Sequence, residues 1–212
     1  MSTERVYTQG EDRANVITHG TGFFIAIFGS FILLNKGANE GIQLQFFSHM
    51  VYCFGLVTLY LASTLYHSVK EPGLKKRLNI FDHSAIYFLI AGTYTPITLL
   101  LMKGTWGLVL FCIVWVLALT GILLKLFFTG RYSKISTLTY VLMGWVVVIA
   151  IRPLIDSMAF PGLLWLLAGG MFYTFGAVFY QLKSMKYNHA IFHVFVLMGS
   201  FCHYVVILNY TN

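Results

Sequence analysis

Residues 106–128 read WGLVLFCIVWVLALTGILLKLFF, with one charged residue, Lys125, near the end of the run. A helix rises 1.5 Å per residue, so a run of this kind spans the roughly 30 Å of bilayer hydrocarbon. Six further apolar runs flank it, at 17–34, 46–66, 84–102, 135–151, 160–182 and 190–208. Over the 212 residues 58% are hydrophobic and 10% charged, whereas a soluble domain carries about 25% charged residues. A water-soluble globule is excluded, because so few charges cannot cover a surface that must also accommodate 19 Phe, 13 Tyr and 4 Trp. The runs are continuously apolar rather than alternating, which argues against a transmembrane barrel. The expected fold is all-α: one seven-helix domain over residues 1–212, multi-pass in the cell membrane, since the intervening segments are too short for a second domain.

The formal charge of +7 arises from 14 Lys+Arg against 7 Asp+Glu. In a soluble protein it would suggest nucleic acid, but here the positive charges sort by loop. Counting Lys125 with the loop it adjoins, eleven of the 14 Lys+Arg fall on the side of the N-terminus and three on the other. Lys and Arg in short loops favour the cytoplasm, so the N-terminus is expected inside and the C-terminus outside. Cys53, Cys112 and Cys202 lie in apolar runs and form no CxxC, and they read as small core residues. The polar, acidic start MSTERVYTQGEDRANVITHG lacks the basic region and cleavage site of a secretory signal, so no processing is expected.

Ionisable groups at membrane depth are costly, and each is a candidate functional residue with a partner to be found. With the expected topology, His67 ends the second run, Asp82 opens the third, and His189 and His193 open the seventh, all at the same face. His189 and His193 are one helical turn apart, the spacing that puts two imidazoles on one metal. Ser63 and His67 repeat that spacing. Three imidazoles with one position left for water make a catalytic type of zinc sphere. Asp82 is then placed to hold or deprotonate the water and Ser63 to stabilise an oxyanion. A lone intramembrane histidine is more often a packing residue, and His49 reads that way: it lies 18 residues, about 27 Å of helix, from His67. His83 is adjacent to Asp82 but about 100° around the helix, and His203 is about 15 Å beyond His193, so both are expected outside the ligand set. Glu11, Asn15 and His19 step by four along one face and are expected to form a wall or gate of the same cavity, or an ordinary polar helix start. Pro96 in GTYTP should kink the third span. Gly169, Gly170 and Gly176 read as close-packing positions.

SxxxH at Ser63–His67, FDHSAIYFLIAGTYTP at Phe81–Pro96 and HAIFH at His189–His193, followed by His203, occur in this order. The combination resembles the bacterial hemolysin III family, within the progestin and adipoQ receptor group of seven-span proteins, over nearly the whole chain. The resemblance implies zinc held by His67, His189 and His193 near the cytoplasmic face, with Asp82 holding a water and Ser63 nearby. It further implies hydrolysis of a lipid amide or ester, ceramide-like in the eukaryotic branches, with membrane lipid as the partner. Two other functions compete. A receptor with a structural zinc would need a closed site, for instance with Asp82 as fourth ligand. A channel or cytolysin, as the family name suggests, would need an outer polar pathway or an amphipathic inserting helix, and the sequence offers neither. No nucleic-acid surface is present, and oligomeric state is not encoded in any motif.

Overall fold

A computed structural model describes residues 7–102, 104–129 and 132–211, and no strand occurs among them. The helices are α1 (Gln9–Glu40), α2 (Gln43–Ser68), α3 (Pro72–Pro96), α4 (Thr105–Phe128), α5 (Ser133–Gly144), α6 (Ile151–Ser157), α7 (Phe160–Gln181) and α8 (Asn188–Tyr210). A π-helical turn, Ile97–Leu101, extends α3, and a 3-10 segment, Val146–Ala150, joins α5 to α6. Taking Ser133–Ser157 as one column, seven helical columns are long and apolar enough to cross a membrane.

Several ends run beyond the apolar cores. The first column starts at Gln9 rather than 17, because Thr8 and Glu11 form a reciprocal capping box that holds a polar first turn in the helix. It ends at Gly41, whose φ of 70° is the left-handed conformation that terminates helices. The third column starts at Pro72, behind Glu71, whose carboxylate accepts from the amides of Gly73 and Leu74.

Pro96 has no amide to donate, so α3 cannot continue as a regular α-helix and passes into the π turn. The hydroxyls of Thr95 and Thr98 donate to carbonyls one turn back, at 2.8 Å each. Gly107 lets α4 pass directly over this turn: a Cβ there would lie 2.2 Å from the carbonyl oxygen of Thr98. The fifth column is broken where a continuous helix over 135–151 was expected. Tyr94 Oη donates to the Gly144 carbonyl at 2.7 Å and accepts from the Val147 amide at 3.0 Å, serving both backbone groups at the break.

α2 packs between α1 and α3, α4 lies on α3, α7 pairs with α8, and α8 also contacts α1, with α5 set against α3 and α7. Outward faces carry large apolar side chains such as Phe24, Phe28, Phe31, Leu119, Leu123 and Phe127. The interior holds polar residues including Asn15, His19, Ser63, His67, Asp82 and His193, an inversion suited to a lipid surround. Cys53 and Cys202 are buried, but Cys112 is exposed on the outer face of α4, which corrects its reading as a core residue.

The short connections make successive columns antiparallel. The starts of α1, α3, α5 and α8 therefore share one end of the bundle with the ends of α2, α4 and α7. At the opposite end His49 is fully buried and its Nε2 lies 2.9 Å from Thr211 Oγ1. Thr211 spends its own proton on the Ile207 carbonyl, so His49 is the donor. Lys36 Nζ donates to the Leu208 carbonyl at 2.6 Å, and together these bonds tie the end of α8 to α1 and α2.

Candidate metal centre

His67 sits in the last turn of α2, and His189 and His193 occupy the first two turns of α8. Antiparallel packing brings the three rings to one depth, and one nitrogen from each lies within 4.8 Å of the other two. His67 Nε2 and His189 Nε2 are 3.1 Å apart. All three side chains are buried.

The opposite nitrogens account for this orientation. His193 Nδ1 lies 3.1 Å from Thr18 Oγ1. The Thr18 proton is directed to the carbonyls of Ala14 and Asn15, so Thr18 accepts and His193 carries its proton on Nδ1. His67 Nδ1 lies 3.4 Å from Asp12 Oδ1 and 3.3 Å from Asn15 Nδ2. Asn15 Oδ1 is buried without a partner, and rotating the amide end for end presents that oxygen to the same imidazole proton. His189 Nδ1 bonds Tyr7 Oη at 3.0 Å. Each Nδ1 is thus engaged from the start of the chain, and with the proton on Nδ1 each ring would offer its Nε2 lone pair to a shared cation, the arrangement common among metal-bound histidines.

The remaining candidates take distinct places. Ser63 and Asp82 line the cavity beside His189 and His193. Asp82 lies outside the three-residue group, and the Ser63 hydroxyl is buried beside the Asp82 carboxyl. His19 stacks face to face on His193, with centroids 3.4 Å apart, and both its ring nitrogens are buried without partners. His83 Nδ1 donates to the Asn79 carbonyl at 2.9 Å, and the ring lines the cavity. His203 lies along the same cavity with Nε2 3.3 Å from the Leu166 carbonyl. Glu11 is committed elsewhere: Oε2 accepts from Thr8, and Oε1 accepts from the Tyr187 amide at 3.1 Å, which joins α1 to the start of α8. Tyr7, Asp12 and Thr18 are the partners that spacing alone did not single out. Thr18 and Asp12 share the face of Asn15, and that periodicity was the available signal.

The cavity has a volume of about 150 Å³. Beside His189 and His193 its lining includes Ile86, Leu89, Ile90, Val141 and Phe192, and it is mostly apolar, with polar groups such as Asp82, Thr93, Thr174 and His203 distributed along it.

The family profile described as Haemolysin-III related matches residues 7–204. The chain is 44% identical to Hemolysin-3 of Bacillus cereus over 200 residues, 94% of this chain and 91% of that protein. It is 43% identical to the Hemolysin-3 homolog of Bacillus subtilis (strain 168), over 97% of this chain and 96% of the relative. The human monocyte to macrophage differentiation factor is 29% identical over 94% of this chain and 84% of its own length. With seven membrane-length helices and a matching profile over almost its full length, the chain belongs to the haemolysin-III-related family of multi-pass membrane proteins.

Proposed function

We propose that the chain is a zinc-dependent intramembrane hydrolase acting on a lipid amide or ester and contributing to bilayer homeostasis. The observation that carries this reading is the set of three buried imidazoles with converging ring nitrogens, each with its Nδ1 engaged, two of which, His189 and His193, line a largely apolar cavity. His67, His189 and His193 would hold the metal. Zinc, when bound, supplies Lewis acidity that polarises a carbonyl and makes water a stronger acid. Asp82 holds the attacking water and takes its proton, then returns it to the leaving amine or alcohol. Ser63, buried beside Asp82, donates to the carbonyl oxygen as negative charge develops there. Because Asp82 stands outside the ligand group, three protein ligands are available rather than four, which favours an open, catalytic site over a closed structural one. The charge asymmetry of the loops supports placing this end of the bundle at the cytoplasmic face.

Elemental analysis of the detergent-purified protein tests the reading. The wild type should carry about one zinc per chain, as a three-histidine site requires. His193→Ala should lose it, while Asp82→Asn should keep the metal and lose turnover of lipid amides in mixed micelles. Metal-free wild type purified without chelators, or full turnover by Asp82→Asn, would overturn the proposal.

A further inference from the structure

His203 lies ten residues beyond His193 on α8, about 15 Å further along the helix. It shares the inward face of α8 with Val196, Ser200 and Ile207, all buried, and it lines the same cavity as His189 and His193. Its Nε2 lies 3.3 Å from the Leu166 carbonyl. A carbonyl can only accept, so Nε2 carries the ring proton and Nδ1 keeps its lone pair. The Nε2–Cδ2 edge is pressed against α7, where a Cβ on Gly169 would lie 2.3 Å from Cδ2 and 2.4 Å from Nε2. Nδ1, on the opposite edge of the ring, has no hydrogen-bond partner among the described residues and stays accessible on the cavity side.

Other polar groups lining this part of the cavity have already spent their protons on the protein. Thr93, eleven residues beyond Asp82 on α3, donates to the Leu89 carbonyl at 2.8 Å. Thr174 of α7 donates to the Gly170 carbonyl at 2.7 Å, and Trp145 Nε1 donates to Thr174 at 3.0 Å. Tyr94 Oη is committed to the Gly144 carbonyl. The Tyr173 ring packs on His203, with centroids 5.4 Å apart, and its hydroxyl is bonded to Ser200 at 2.8 Å. Thr93, Thr174 and His203 therefore face the cavity with lone pairs rather than protons. A plain alkyl chain laid along this wall leaves the imidazole nitrogen unpaired, whereas a ligand hydroxyl placed there donates to it.

We infer that His203 forms a subsite for a hydroxyl carried on the acyl chain of a lipid ligand, with Nδ1 accepting its proton at the end of the cavity remote from the clustered histidines. The ligand class is an amphiphile whose hydroxyl stands about 15 Å from its carbonyl, the separation of His203 from His193 along α8. An extended lauroyl chain hydroxylated at its far end covers that length. Placing the carbonyl at the histidine end rests on the hydrolase reading; the hydroxyl subsite itself does not.

Binding to the purified full chain in a neutral detergent tests it, with lauroyl ethanolamide and its ω-hydroxy and α-hydroxy derivatives as probes. The wild type should bind the ω-hydroxy probe about fivefold tighter than the unsubstituted one, the scale of a single hydrogen bond. His203→Phe, which keeps a ring against Gly169 and Tyr173, should bring those two affinities together while leaving those for the unsubstituted and α-hydroxy probes in place. His203→Leu should do the same if the phenylalanine variant does not fold. Equal affinities for the ω-hydroxy and unsubstituted probes in the wild type, as when water serves the nitrogen in both complexes, overturn the subsite. So does a preference that survives both substitutions, or an equal loss of affinity for all three probes, which marks His203 as a packing residue. Turnover is read separately: an ω-hydroxy preference without hydrolysis of any probe counts against the hydrolase alone, and hydrolysis without the preference counts against the subsite alone.

Discussion

Asp12 Oδ1 faces His67 Nδ1 at 3.4 Å, while its other oxygen lies 3.9 Å from Lys75 Nζ. A carboxylate behind a metal-ligating imidazole fixes the tautomer and raises the basicity of the ligating nitrogen. Asp12→Asn preserves the shape but removes the charge, and it should weaken zinc binding about 10- to 100-fold in competition with a chelator. Unchanged affinity would leave the orientation of His67 to Asn15 alone. The histidine pair of α8 was readable from the sequence because one helical turn separates its members. The partners of those rings were not, since Tyr7 to His189 and Thr18 to His193 cross 182 and 175 residues.

The entry to α3 is set by local chemistry. The amides of Gly73 and Leu74 hold the Glu71 carboxyl below its usual range, because they bond its ionised form. A carboxyl depressed in the folded state contributes stability above its unfolded pKa, and that contribution fades as pH falls through the folded value. Thermal melts of Glu71→Gln and wild type should therefore differ at neutral pH and converge on acidification. A difference that does not change with pH would contradict this capping role. The departure from regular α-helix after Pro96 was similarly legible, since a missing amide acts within one turn. The break in the fifth column was not, because Val146–Ala150 reads VVVIA and gives no local reason to leave the α-helix. A hydroxyl from α3, that of Tyr94, serves the backbone there.

Across the whole molecule, the end of the bundle that holds the three clustered histidines is also the end toward which most lysines and arginines sort. Fusions at residue 212 check the proposed orientation: an alkaline phosphatase should be active and a cytoplasmic fluorescent reporter dark. The opposite result would put the histidines at the outer face and their metal supply outside the cell. The bundle also has a chemically uneven interior. One end holds the three clustered histidines, His19 and Asp82, and the other a latch of His49 and Thr211 around the end of α8.

What the sequence by itself determined is the number of spans, the helical class and the shared depth of His67, Asp82, His189 and His193. These follow from run length, the 1.5 Å rise and the alternation of direction imposed by short connections. Tertiary structure decided which partner meets the Nδ1 of each clustered histidine, that Asp82 lies outside the three-histidine group, and that Lys125 is buried against Ser136 of α5 rather than extended to water. Those outcomes depend on side chains brought together from distant helices, and the energy of a buried polar group is set by the partner it meets there, which no local pattern encodes.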